Sequence, residues 1–344
     1  MSEWKTVKLS DICTLEKGQQ IDTTLLDDSK PYRYINGGIK ESGYFDNFNT
    51  SGESVLISEG GASCGFINYV NEKFWCGCHC YRLHDIKVFP KYLFHALKAN
   101  QQRIMALRTG SAMPNIQKST IQKFELKIHD DSTTQKKVST MLDKCNELIE
   151  KHKQTLEKYD ILIKSRFIEM FGEPIENTKS WKEESLGNCC LLKAGKAIKA
   201  SELADKDKEH PYPCFGGNGI RGYISKKSHT GKIVLIGRQG ALCGNVQLTD
   251  GDFYATEHAV VTTPKKELNS IWLYHLLFLM DLNRYKSGAA QPGLTVEKLN
   301  TVPTMIVPIK LQNDFAAFVQ QIDKSKFEIW LTLQNYGIIE KRVF

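Results

Sequence analysis

From Ser132 to Gly172 the residues Val138, Leu142, Cys145, Ile149, His152, Leu156, Tyr159 and Ile163 recur at alternating steps of four and three. This spacing is the seam of a coiled coil, sustained through nearly four heptads. A helix of that length spans about 60 Å, too long for the core of one small domain, and a lone helix cannot cover its own stripe. Ser132-x-x-Gln135 offers a capping box at its start, and Gly172 followed by Pro174 stops it. The partner lies 177 positions on, where Phe315, Val319, Ile322, Lys326, Ile329, Leu333 and Tyr336 repeat the seam in register. Lys326 is its one polar exchange.

Two unrelated amphipathic helices would not bring the rest of the chain into the same register. Trp4-Lys5 and Trp181-Lys182 open parallel segments, with Leu9, Gly18 and Ile21 matching Leu186, Gly195 and Ile198. Val55-Leu56-Ile57 matches Val234-Leu235-Ile236, and Gly61-Ala62-Ser63-Cys64-Gly65 matches Gly240-Ala241-Leu242-Cys243-Gly244. His79 matches His258, and the loop Gly110 to Pro114 matches Gly288 to Pro292. Offsets that wander only between 177 and 180 indicate a duplication with loop-sized insertions.

Within each copy, Ser54 to Ser58, Phe66 to Val70 and Lys232 to Ile236 read as strands, and Lys91 to Arg108 and Ile271 to Tyr285 as helices. Phe124 to Ile128 and Thr304 to Ile309 read as a last strand before each long helix. The fold class is therefore α+β, with tandem-duplicated globes at 1–131 and 173–309 and long helices at 132–172 and 310–344. Two such helices are most simply packed as an antiparallel coiled coil, which relates the globes by a pseudo-twofold axis. Two reading heads at a fixed separation suit a duplex with two half-sites.

No run of 18 apolar residues is present, and the N-terminus lacks the apolar core of a signal peptide, so the expectation is a cytoplasmic protein without a membrane span. Ten cysteines then read as free buried thiols. The net charge of +7 permits an anionic partner such as nucleic acid without demanding one.

These features resemble the specificity subunit of a type I restriction-modification system over essentially the whole chain. The resemblance is carried by Trp4 to Gly18, Trp181 to Gly195, Val234 to Gly244, the Gly110–Pro114 and Gly288–Pro292 loops, and Lys164 to Gly172. It implies that each globe is a target recognition domain reading one half of a bipartite double-stranded DNA sequence. It further implies that the helices act as a ruler and dock two modification subunits, which bind S-adenosylmethionine and methylate adenine. Separate restriction subunits would cut and translocate DNA with ATP and magnesium. This chain would carry no catalytic residue and no cofactor.

The residues read on their own agree with a non-catalytic chain. Gly231-Lys232-Ile233 lacks the spacing of a phosphate loop, no Asn-Pro-Pro-aromatic tetrapeptide is present, and Glu125-x-Lys127 has no suitable upstream carboxylate. A self-contained methyltransferase or nuclease would need one of these. A coiled-coil adaptor that does not touch DNA is the other alternative. Gly217-x-Gly219-x-x-Gly222 matches a dinucleotide fingerprint in form, but no strand-to-helix switch frames it, and a glycine-rich hairpin is the better reading. Cys76-Gly77-Cys78-His79-Cys80 could attract zinc, yet the second copy reads Ala255-Thr256-Glu257-His258-Ala259. Alternation along one strand would point its three thiols to one face, and we assign no metal.

Base reading calls for Arg or Lys toward guanine and Asn or Gln toward adenine. Because the two half-sites differ, reading residues should differ between copies. Arg238-Gln239, standing where copy one has Glu59-Gly60, is the leading pair. Arg221, Lys226 and Lys227 follow, then Arg33, Lys40 and Asn68 in copy one; each could equally be a solvated surface residue. His79 and His258 either touch DNA or serve as structural hydrogen-bonders. Arg108 and Lys286 precede equivalent loops, as phosphate anchors or as parts of loops needed for folding.

Overall fold

The computed structural model describes residues 4–240, 242–287 and 293–343, with 335–343 described by backbone alone. Ala241, the Gly288–Pro292 loop and the side chain of Tyr336 therefore lie outside the described residues. The chain forms two compact units, one of Met1–Lys153 with Trp330–Phe344 and the other of Gln154–Ile329. Both long helices are divided between these units.

In the first unit, β1 (Trp4–Lys8) leads through α1 (Leu9–Ile12) to β2 (Thr14–Lys17). β3 (Tyr32–Ile35), β4 (Gly43–Phe45), β5 (Ser54–Ser58), β6 (Ile67–Val70), β7 (Phe74–Cys76) and β8 (Cys80–His84) follow. Then come α2 (Pro90–Ala99), α3 (Gln101–Met105), α4 (Lys118–Gln122) and β9 (Glu125–His129). The sheets run β2-β8-β5-β6, β4-β3-β7 and β1-β9, with β3 and β7 parallel. The central strand β5 is buried along its whole length. Its period-two alternation sends Val55 and Ile57 into the core beneath α2, and Leu56 into a second core with Ile35 and Phe74.

The second unit repeats this order. β10 (Glu183–Ser185), α6 (Leu186–Cys189) and β11 (Cys190–Ala194) open it, followed by β12 (Tyr212–Gly216), β13 (Gly219–Ile224) and β14 (His229–Thr230). β15 (Val234–Gly237), β16 (Val246–Leu248), β17 (Asp252–Ala255), β18 (Ala259–Pro264), α7 (Ser270–Leu279), α8 (Val296–Asn300) and β19 (Pro303–Met305) complete the globe. Its sheets run β11-β18-β15-β16, β13-β12-β17-β14 and β10-β19. The connectivity is that of the first unit with one short strand, β14, added.

Each globe leads into a long helix, α5 (Ser132–Phe171) or α9 (Ile309–Val343). The start of α5 corrects the expected capping box. The cap is Asp131, whose carboxylate accepts from the Thr134 N–H at 2.7 Å. Gln135 is buried instead, donating to the His129 carbonyl at 2.7 Å and accepting from the Phe89 N–H at 2.9 Å. Gln312 does the same in the second unit, toward Val307 and Asn269. The helix ends at Gly172, whose φ of +81° favours glycine and where an added Cβ would lie 2.5 Å from Thr178 Oγ1. The Trp181 indole N–H donates to the Phe171 carbonyl at 3.0 Å.

Within the second unit, Phe167 near the end of α5 meets Phe315 near the start of α9, ring centroids 5.3 Å apart, and Lys326 pairs with Asp160 further along. Late residues of one helix thus face early residues of the other, so the two run antiparallel there. Leu142 and Ile163 are buried on the seam, while Val138, Cys145, Ile149, His152, Leu156 and Tyr159 are half-buried. On α9, Phe315, Val319 and Ile322 are buried, and Lys326, Ile329 and Leu333 half-buried.

Two expected helices are interrupted. α2 stops at Asn100 before α3 begins, and α7 ends before Asp281, whose φ of +47° turns the chain into a 3-10 segment, Leu282–Tyr285. No helix among the described residues is long and apolar enough to cross a membrane.

Candidate nucleic-acid interface

In each unit, loops from separate strands are tied together at one end of the sheets. In the first, the Glu59 N–H donates to the His79 carbonyl at 2.8 Å and the His79 N–H to Asn36 Oδ1 at 3.1 Å. The Ile116 N–H reaches the Glu59 carbonyl at 2.9 Å, and Thr109 bridges Asn115 to close the loop that carries Met113. In the second, the Arg238 N–H donates to the His258 carbonyl at 3.0 Å and the Leu294 N–H to the Arg238 carbonyl at 2.8 Å. Ser287 and Gln239 both bridge Gly293. The backbone frame is common to both copies, and the side chains it displays differ.

In the second unit this frame borders a cleft of about 450 Å³ lined by Gly217, Asn218, Ile220, Arg221, Gln239 and His258, among others. The two-residue turn Gly217-Asn218 joins β12 to β13, so the fingerprint glycines belong to a hairpin. Arg221 and Gln239 are exposed, and His258 half-buried with Nε2 3.1 Å from Glu257 Oε1. Arg238 Nε, Glu257 Oε2 and His258 Nδ1 are buried without a hydrogen-bond partner among the described residues. The Glu297 carboxyl is held below its usual range, first by its own backbone N–H and the Thr295 hydroxyl and then by the nearby Arg238. Lys286 is exposed, next to Ser287.

In the first unit, Lys40, His79 and Arg108 are exposed on the equivalent loops. Burial pushes the Cys64 thiol up, and Arg108 opposes that shift, which places its guanidinium beside the same loop. Glu59 is no reader's vacancy: it is 7% exposed, receiving Lys17 at 2.7 Å and the Tyr81 hydroxyl at 2.9 Å.

The remaining candidates lie away from these loops. Lys226 and Lys227 follow the far end of β13 and are held by Glu202 and Asp252 at 2.7 and 3.0 Å, which raises both ammonium pKa values. Arg33, at the far end of β3, pairs with Glu72. Asn68 sits within β6, accepting from the Tyr69 N–H at 2.9 Å. Sequence reading missed Asn218 and Ile220, which only the hairpin turn brings to the cleft.

The cysteine-rich pentapeptide also departs from expectation. Cys76 ends β7, Cys80 begins β8, and Cys78-His79 is the turn between them, so no single strand carries all three thiols. Cys76 and Cys80 are buried in one core, while Cys78 is half-buried with its thiol 2.7 Å from Gln20 Oε1. No group of three or more His, Cys, Asp or Glu among the described residues is placed to hold a metal.

The EcoprrI type I restriction enzyme specificity subunit of Escherichia coli is 47% identical over 149 residues, 43% of this chain and 37% of that protein. A putative type I specificity subunit of Mycoplasma genitalium is 26% identical over 257 residues, 71% of this chain and 66% of the relative. The matches thus span less than two thirds of the length of either relative. A crystal structure of the type I restriction-modification S subunit from M. genitalium shares the fold, with a TM-score of 0.73 and 23% identity over 100% of this chain and 96% of that one. A chain solved in work on complex assembly and conformational transition of the type I system gives a TM-score of 0.58 at 14% identity, covering 99% and 96%. The model of the type I restriction modification DNA specificity domain matches twice, at residues 1–158 and 178–335. The two matches stand at the interval that separates the internal repeats, and the chain belongs to the type I restriction modification DNA specificity domain family.

Proposed function

We propose that this chain is the DNA-reading, non-catalytic subunit of a type I restriction-modification complex, working in the cytoplasm. Each globe, 1–131 and 173–309, contacts one half of a bipartite duplex target through its loop cluster. The observation that carries this reading is one backbone frame used twice with different polar side chains, as two unlike half-sites require. Contacts fall to Arg221, Arg238, Gln239, His258 and Lys286 in one unit and to Lys40, His79 and Arg108 in the other. Lys226, Lys227, Arg33 and Asn68 contribute less, three of them because an acidic partner already holds them.

The helices 132–172 and 310–344 set the spacer and dock two modification subunits, which bring S-adenosylmethionine, while restriction subunits bring ATP and magnesium. Exposed apolar side chains off the seam, Met141, Leu148, Ile161 and Leu162 on α5 and Leu331 on α9, support docking along the helices.

The test is selection of randomised duplexes by the full chain together with its modification subunits, followed by a salt titration. The expected result is a two-part motif with a fixed gap and an affinity that falls steeply with salt. Recovery of unenriched sequence, or of one contiguous motif, overturns the proposal.

A further inference from the structure

Arg221 is held unlike the other basic residues of its unit. In β13 it is left over between the pairs Phe215↔Ile220 and Cys214↔Gly222, the extra residue of a β-bulge. A bulge takes a side chain out of the strand's alternation and re-aims it. The stem then lies over Gly216, where an added Cβ would stand 2.6 Å from Arg221 Cδ. Arg221 lines the cleft and has no ion pair among the described residues, whereas Lys226 and Lys227 end on carboxylates.

A phosphate can be met by any flexible cation and needs no such seating. The neighbours also argue for a base. Gln239 and Asn218 line the same cleft with amides that both donate and accept, and base edges call for both where phosphate only accepts. Among base edges in the major groove, guanine alone offers the pair of acceptors, O6 and N7, that one guanidinium grips at once.

We propose that Arg221 reads a guanine in the half-site taken by the second unit and determines specificity at that position. The inference rests on the DNA-recognition reading above. Randomised-duplex selection with the full chain should give a guanine at one position that Arg221→Ala relaxes by about tenfold or more, with the other half-site unchanged. Replacing that guanine by 7-deazaguanine, which lacks the N7 acceptor, should weaken the wild type and leave Arg221→Ala indifferent. Arg221→Lys keeps the charge and the stem but not the two-pronged grip, and should lose the same preference. This variant carries the comparison if circular dichroism shows that the alanine variant has lost structure. Equal weakening on every sequence, or selection unaltered by either variant, overturns the assignment while leaving DNA recognition standing. Failure of the wild type to select any duplex removes the recognition reading and this inference together.

Discussion

Glu59 and Arg238 occupy the same place in the two copies. Subtracting one copy from the other marks Arg238 as a reader and leaves Glu59 only as its counterpart, and Glu59 is shut in by Lys17 and Tyr81, which come from 42 positions before it and 22 after. Arg238 has no such cage, since the equivalent residues are Ala194 and Val260. Charge differences between copies were therefore legible in the sequence, but not whether each charge faces solvent or is met from within. Glu59→Ala removes the carboxylate that Lys17 and the Tyr81 hydroxyl share, leaving that hydroxyl only the longer bond to the Ile116 carbonyl, and should cost about 1–3 kcal/mol, lowering the melting temperature while the selected DNA motif stays the same. Gln239→Ala, at an exposed position, should do the reverse: unchanged melting and an altered preference at one position of a single half-site, read by duplex selection. The bulge at Arg221 was invisible beforehand, because it exists only relative to the register of β12.

Helix starts show the same limit one level up. The coiled-coil spacing fixed the place and length of α5, but Ser132 and Gln135 fit a capping pattern that Asp131 displaces, freeing Gln135 to join the helix to the loop before α2. Gln312→Ala should remove one buried and one part-buried hydrogen bond and cost about 1–3 kcal/mol, measurable by denaturant unfolding. On α7, His275 is driven from its usual 6.5 down to about 4, first by burial and then by Lys326, with Asp160 opposing. The unfolded chain therefore binds a proton that the folded one refuses between those values. Stability should be full above about pH 6.5 and decline as pH falls toward 4, by roughly 3 kcal/mol at most. His275→Phe should flatten that decline in unfolding measured against pH.

The duplication was the most legible feature of the molecule, since a nearly constant interval survives changes in most side chains. The seam was legible for the same reason, whereas the division of each helix between two compact units was not, because heptad spacing carries no information about which core a turn joins. If the helices set the spacer, seven residues added to each at Lys153/Gln154 and at Ile329/Trp330 should change the preferred gap in selected duplexes. An unaltered gap would remove the helices from that role.

The second unit is one unbroken stretch, Gln154–Ile329, but the first takes its closing piece from Trp330–Phe344. On the ribosome, then, the half begun first is the last to be finished: it must wait through the synthesis of its whole counterpart before its final segment emerges.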